Sequence, residues 1–387
     1  MNESLHSWAE LGLLVPILGG CIYALLCLGA VWWYARKRPR LLTDASPLPA
    51  VTILKPVHGL EKKLERNLRS CCDLDYPDYQ VVFSVQRVDD PALPLLRKLE
   101  QEFGSERVTV AVTDSEPVVN GKIQNLLGGM KAARHQVVLI SDSDMFVRPD
   151  YLRTIVAPLA DPDVGCACTL YRAADAESWF EKLELLSYNS EFIVNVIFAE
   201  VSGAYDFGPG CSVAIRRKAL EDSGGLEPLL DFLVEDFELV RRINAAGYRT
   251  AIVPYFVDTT VDLERPSEWW SHQVYWDQNT KAVNPVGFFF TFLIQPLPFA
   301  LAFALLRGFD PLGWAALLGT LAVRLGTRAW IFRLIGDREG PRALAWLPLR
   351  DLAGLGSWLV ALGKRSFVWR HLRFGLTRDG RIVPREP

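Results

Sequence analysis

Several things this sequence lacks narrow its function before any motif is considered. It has no CxxC cysteine pair matched by a second pair or by histidines at zinc-ligand spacing, although seven cysteines are present. Cys21 and Cys27 lie in an apolar segment, and Cys71, Cys72, Cys166, Cys168 and Cys211 lie elsewhere. All seven are expected to be reduced packing residues, so the part of the chain that does chemistry should face the cytoplasm. Excess basic charge is also absent. With 42 Lys and Arg against 45 Asp and Glu, the formal net charge is −3, which excludes a nucleic-acid partner. No internal repeat or low-complexity tract interrupts the 387 residues, a length that suits one large domain plus extra segments.

Charge is missing locally as well. Residues 11–35 carry no charged side chain, enough to cross a hydrocarbon layer of roughly 30 Å. Arg36, Lys37, Arg38 and Arg40 follow at once, whereas Glu3 and Glu10 precede. This asymmetry places the N-terminus outside and the chain after Arg36 inside. A cleaved signal peptide would carry its basic residues ahead of a shorter run, so an uncleaved anchor is expected. Residues 282–306 form a second uncharged run, broken by Asn284, Gln295 and prolines. Residues 311–335 form a third, with Arg324, Arg328 and Arg333 towards its far end. In a fourth, 343–362, Arg350 and Asp351 sit in the middle, and a charged pair at mid-bilayer is expensive. Its flanks are both basic: Arg333, Arg338 and Arg342 before, Lys364, Arg365, Arg370 and Arg373 after. It is therefore expected to be interfacial or re-entrant, with the C-terminal tail in the cytoplasm. The expected division is an anchor over 1–40, a cytoplasmic catalytic domain over 41–281 and a membrane region over 282–387. That makes a multi-pass protein of the cell (inner) membrane. The hydrophobic share of 50% and the positive mean hydropathy of +0.13 agree with this.

The middle of the chain alternates. Strand-like runs at 50–54, 80–86, 107–113 and 137–141 are separated by helical stretches such as 61–71 and 91–103, which predicts a doubly wound, mostly parallel α/β sheet. After Asp144 the order loosens, with strands expected at 165–170, 211–215 and 248–253 and an amphipathic helix at 235–246 closed by Gly247.

The apolar run Val137 to Ser141 ends in Asp142-Ser143-Asp144. Two carboxylates two residues apart in an extended segment point to one side and can share a hard divalent cation, and ligands of open α/β sheets sit beyond the carboxyl ends of strands. An ion there would neutralise the phosphates of a nucleotide leaving group; the same three residues would also make a plain turn. Asp89-Asp90-Pro91 follows the second strand, where it could hold a base or ribose or simply start a helix. Lys122, after Asn120-Gly121, opens a helix from which it could reach a diphosphate, or it is a surface charge. Glu235-Asp236 opens another helix after Gly224-Gly225, where an acid also serves as a cap. His272-Gln273-Val274-Tyr275-Trp276 comes just before the second apolar run, and Trp269 and Trp270 suit a bilayer interface.

Taken in order, these pieces form a specific set. It comprises Lys55-Pro56 with Gly59, Leu74-Asp75-Tyr76-Pro77, Val85-Gln86 followed by Asp89-Asp90-Pro91-Ala92, Lys122-Ile123-Gln124-Asn125-Leu126, Asp142-Ser143, Gly224-Gly225-Leu226 and Glu235-Asp236. Over roughly residues 50 to 300 the chain resembles family-2-type inverting glycosyltransferases. More closely, it resembles the ceramide glucosyltransferase family and its bacterial relatives, including hopanoid-biosynthesis-associated glycosyltransferases. The resemblance implies a GT-A-type fold flanked by transmembrane helices. It also implies that Asp89 and Asp90 bind the nucleotide, with Lys122 and Asp142 on the nucleotide sugar. Asp142 and Asp144 would hold Mn²⁺ or Mg²⁺, and Asp236 would be the catalytic base. Glu235, His272, Gln273, Tyr275 and Trp276 would serve the acceptor or diphosphate. The family signature there is Gln/Arg-x-x-Arg-Trp, and this chain departs from it twice, with His272 at the first position and Tyr275 in place of the arginine. Gln278 and Lys281 are nearby candidates to compensate.

The implied reaction moves glucose or N-acetylglucosamine from a UDP-sugar to a hydroxyl of a membrane lipid such as ceramide or a hopanoid. A polyprenyl-phosphate glycosyltransferase and a processive polysaccharide synthase share the same core. The latter needs more membrane helices than three or so to build a polymer channel.

Overall fold

The computed structural model describes residues 2–43, 47–114, 120–203, 208–364, 366–369, 372–377 and 381–384. Arg365 and Arg370, two of the basic residues following the fourth apolar segment, lie outside the described residues. The chain forms two compact units. One gathers Arg38–Arg172, Asp206–Asp262 and Val368–Pro387; the other gathers Met1–Lys37, Ala173–Tyr205 and Leu263–Phe367.

The first unit is built on an eight-stranded sheet. Its strands are β1 (Val51–Pro56), β2 (Tyr79–Val85), β3 (Val108–Val112), β4 (Val137–Ser141), β5 (Met145–Phe146), β6 (Val164–Ala174), β7 (Ser212–Arg216) and β8 (Arg249–Thr260), in the order β3-β2-β1-β4-β7-β6-β8-β5. Pairing is parallel for β1–β2, β2–β3 and β1–β4. It is antiparallel for β4–β7, β6–β7 and β5–β8. The parallel half follows the alternation seen before Asp144. Strands β1, β2 and β4 are buried along their whole length, as strands covered on both faces must be. Beyond β4 the sheet turns antiparallel, which matches the loss of alternation there.

One core cluster explains why the functional elements converge. Ile123 and Leu126 from the helix Gly121–Met130, and Leu239, Val240 and Ile243 from the helix Glu235–Ala245, pack with Leu54, Val138, Ile140, Val213 and Ile215 of the sheet. Burying both apolar stripes against β1, β4 and β7 fixes where the two helix N-termini fall.

Among its described residues the second unit contains two helices long and apolar enough to cross a membrane, Ser7–Tyr34 and Pro311–Leu334. At 1.5 Å per residue, they reach about 42 and 36 Å. The second uncharged run is divided into Pro285–Ile294 and Pro296–Leu306, bent by 50°. The proline after Gln295 has no N–H with which to continue a helix. At the end of the first helix, the Arg36 guanidinium lies 3.2 Å from the Trp32 ring centroid and the Lys37 ammonium 4.2 Å from that of Trp33, a basic and aromatic collar of interfacial type.

In the fourth apolar segment, the helix Leu347–Gly363, the cost expected for Arg350 and Asp351 is met inside the protein. Asp351 is fully buried. Its carboxylate accepts two hydrogen bonds from Arg324, Nε and Nη2, at 2.7 Å each. Arg324 also reaches Glu191 at 2.7 Å, and Arg328 reaches it at 2.9 Å. Glu191 belongs to a π-helical turn, Ser187–Phe192, joining the helices Trp179–Leu186 and Ile193–Ser202. Breaking such a buried pair from one side costs about 3–5 kcal/mol.

Candidate active site

The Asp142-Ser143-Asp144 turn is anchored from below. It is closed by the Met145 amide donating to the Asp142 carbonyl at 3.2 Å, and the Asp142 amide donates to Cys211. Lys55 of β1 is wholly buried. Its ammonium donates to the carbonyls of Asp142 (2.7 Å) and Met145 (3.3 Å). Asn67 donates to the Asp144 carbonyl at 3.1 Å, and the Thr259 hydroxyl donates to Asp144 Oδ2 at 2.7 Å. Burial, with the charge of Asp142, pushes the Asp144 carboxyl up to about 6. The Ser143 hydroxyl donates to Glu61 at 2.7 Å. Glu61 is pushed up to about 7 by burial; its bond from Ser143 opposes the shift, and the charges of Asp144, Asp142 and Asp262 add to it. Sequence reasoning missed Glu61. The available signal was its place just past the end of β1, the strand next to β4.

Lys122 stands in the first turn of its helix, which Asn120 caps by accepting the Ile123 amide at 3.1 Å. The Lys122 ammonium bridges Asp142 Oδ1 at 2.9 Å and Glu235 Oε1 at 3.1 Å. Burial alone would lower its pKa, but Asp142, Glu235 and Asp236 hold it well above the ordinary lysine value. Asp236 lines the same small recess as Lys122, Glu235 and Gly210, and its Oδ1 accepts the Phe237 amide at 2.7 Å. Burial first, then the charge of Glu235, push Asp236 up to about 6, against the pull of Lys122. Asp236 lies directly against Gly210, where a β-carbon would come within 1.9–2.3 Å of it. No other residue fits there. Gly210 also precedes Cys211, whose carbonyl takes the Asp142 amide, so one short stretch seats both acids. Asp142, Asp144, Lys122, Glu235 and Asp236 thus meet as one constellation.

Among the described residues no three His, Cys, Asp or Glu side chains converge as metal ligands. The residues expected to hold an ion are the carboxylate pair Asp142 and Asp144. Hard oxygen donors of this kind fit a divalent ion that keeps several waters and takes its remaining ligands from substrate phosphates. The upward push on Asp144 comes first from burial and then from the charge of Asp142, and a cation at the pair would relieve the second part.

The other expected residues have partners of their own. Asp90 accepts the amides of Gly59 (3.1 and 3.2 Å) and Ala92 (2.9 Å), so its carboxylate pins the loop after β1 to the start of the next helix. Asp89 is exposed and paired with Arg87 at 2.7 Å. His272 to Trp276 belong to the second unit, within the helix Pro266–Val283. There the Trp276 indole donates to His272 Nε2 at 2.7 Å, which leaves the ring proton on Nδ1, 2.5 Å from Glu184 Oε1. Gln273 donates to Glu184 at 2.7 Å and accepts the Ser187 hydroxyl at 2.7 Å. The Tyr275 ring stacks on His272, with centroids 6.3 Å apart at 16°. The Lys281 ammonium caps the helix Leu347–Gly363 through the carbonyls of Ala361, Leu362 and Lys364. Gln278 is buried.

Residues 12–382 match the model of glycosyl transferase family 21. The chain is 23% identical to ceramide glucosyltransferase 1 of Caenorhabditis elegans over 384 residues, covering 94% of this chain and 80% of that protein. It is 24% identical to the probable glycosyltransferase YdaM of Bacillus subtilis over 258 residues, covering 65% and 60% of the two chains. Among solved structures it is similar to the mannosyltransferase PcManGT of Pyrobaculum calidifontis, which was solved with GDP-Man and Mn²⁺. The TM-score is 0.55 at 17% identity, with 92% of this chain and 99% of that one covered. The fold is therefore GT-A-like, with candidate membrane helices attached.

Proposed function

This chain belongs to glycosyl transferase family 21, and from that membership we propose that it transfers glucose or N-acetylglucosamine from a UDP-sugar to a hydroxyl of a membrane lipid such as ceramide or a hopanoid. The observation that carries the reading is the shared recess. Asp236, a carboxylate with a pKa pushed up to about 6, sits beside the Lys122 ammonium that pairs with Asp142. A base tuned towards neutrality next to a cation suited to a diphosphate is what such a transfer requires.

Asp236 accepts the proton of the lipid hydroxyl, and the freed oxygen attacks the anomeric carbon from the face opposite the departing UDP, inverting it. Lys122 meets the negative charge that builds on the diphosphate. Mn²⁺ or Mg²⁺, held by Asp142 and Asp144, would supply further charge neutralisation at the leaving group. Glu235 is the second acidic partner of Lys122. Asp89 and Asp90 bind the nucleotide, and Asp90 also shapes the loop after β1. His272, Gln273, Tyr275 and Trp276, on one helix, serve the acceptor or the diphosphate. The ceramide glucosyltransferase relatives support a lipid acceptor. The charge asymmetry around residues 11–40 supports a multi-pass inner-membrane protein with residues 41–281 and the C-terminal tail in the cytoplasm. The test is a comparison of lipid extracts from cells expressing the wild type or Asp142→Ala. A new glycolipid should appear only with the wild type, and its absence from both, with folded protein present, would contradict the reading.

A further inference from the structure

The Asp142 carboxylate already has a cation. Lys122 sits 2.9 Å from its Oδ1 and holds Glu235 at 3.1 Å with the same ammonium. Among the described residues the Asp144 side chain accepts a hydroxyl, and its carbonyl accepts amides of Asn67 and Thr260; the cation nearby is Lys55, whose charge favours the ionised carboxylate but whose ammonium is spent on the carbonyls of Asp142 and Met145. A divalent ion approaching the pair would thus find half of its ligand set neutralised by a tethered lysine. Its side chain is about one quarter exposed (24%), and it extends from the first turn of a helix whose N-terminus favours anions.

We propose that Lys122 is a resident counter-ion that must leave Asp142 before the metal can bind well. The diphosphate of an incoming nucleotide sugar draws the ammonium to itself, and the freed Asp142 oxygen then takes the metal with Asp144. This rests on the function proposed above and adds an order to it: the nucleotide and the metal bind cooperatively, and Lys122 carries the coupling. Two ligands that each favour the same lysine position raise each other's affinity by the same factor. Glu235 and Asp236 remain as the lysine's other negative neighbours, so its displacement from Asp142 shifts it within one charged recess and does not strand it.

The experiment measures Mn²⁺ binding to the purified full chain by the loss of the free-ion electron paramagnetic resonance signal, with and without UDP. Wild type should bind Mn²⁺ weakly alone and about 10- to 100-fold more tightly with UDP, the usual range of such coupling. Lys122→Gln and Lys122→Met, checked for folding by thermal unfolding, should bind Mn²⁺ alone about 10-fold or more tighter than wild type and lose most of the UDP effect. Lys122→Arg, which keeps the charge, should stay weak without UDP. Wild type binding Mn²⁺ equally well with and without UDP would overturn the proposal without any variant. So would neutral variants that bind no tighter than wild type, in which case the metal reading itself would stand. Failure to bind Mn²⁺ even with UDP would overturn both.

Discussion

Asp236→Asn should break the enzyme while making the empty protein more stable. The carboxyl has a folded pKa of about 6 against an unfolded value of about 3.9. Above pH 6 the group is ionised in both states, and its burial beside Glu235 then costs on the order of 3 kcal/mol at 1.36 kcal/mol per pKa unit. Below about pH 4 it is protonated in both states and the cost vanishes, so this group's effect on stability worsens as pH rises from about 4 to 6. Asparagine keeps the shape and removes the charge, while Lys122 retains Asp142 and Glu235 as partners. The unfolding midpoint of the variant should therefore exceed that of wild type at pH 7, with a smaller gain at pH 5. Its transfer rate should fall by the contribution of a general base, about 10²–10⁴-fold, and the wild-type rate should rise with pH up to about 6 and then level. A variant that keeps more than a tenth of the rate, or that melts lower than wild type at pH 7, would refute the assignment of Asp236 as a desolvated base.

Gly210→Ala drives a β-carbon into the Asp236 side chain and should displace it, cutting the rate by about 100-fold although no charge changes; unaltered kinetics would show that Asp236 does not need this seat. Asp351→Ala leaves Arg324 with Glu191 as its remaining acidic partner and should cost about 3–5 kcal/mol, read as a lower unfolding midpoint in detergent. An unchanged midpoint would mean that the buried network carries no stability. Tyr275→Phe keeps the ring on His272 and removes one hydroxyl, so the rate should fall less than about tenfold, the most that one neutral hydrogen bond commands. A loss as large as that of Asp236→Asn would make Tyr275 part of the chemistry.

The constellation was legible because each member has a local signature. Asp142 and Asp144 end a buried strand, while Lys122, Glu235 and Asp236 open helices. The rule that ligands gather at strand carboxyl ends then brings them together. What could not be read depends on partners distant in sequence. Lys55 looked like half of a short motif, yet its role is set by carbonyls about 90 residues away. Gly210 is needed only because Asp236 packs on it. The antiparallel half of the sheet was hidden because helices also lie between β6, β7 and β8, and the local sequence does not tell in which direction a strand returns after a helix. Arg350 and Asp351 looked costly in an apolar helix because their compensation comes from Arg324 and Glu191 on other helices. Asp90 also accepts the amides of Gly59 and Ala92, and the first of these partners lies about 30 residues away in the chain.

The central claim is that Asp236 directs an inverting transfer onto a lipid hydroxyl. It is tested most directly by the product made when the purified chain, in lipid nanodiscs with a hydroxylated acceptor lipid and Mn²⁺, is given an α-linked UDP-sugar. Nuclear magnetic resonance of the isolated glycolipid should show a single β-linked sugar on the lipid hydroxyl, formed by wild type and not by Asp236→Asn. An α-linked product, a polymer, or sugar found only on a lipid phosphate would contradict the account.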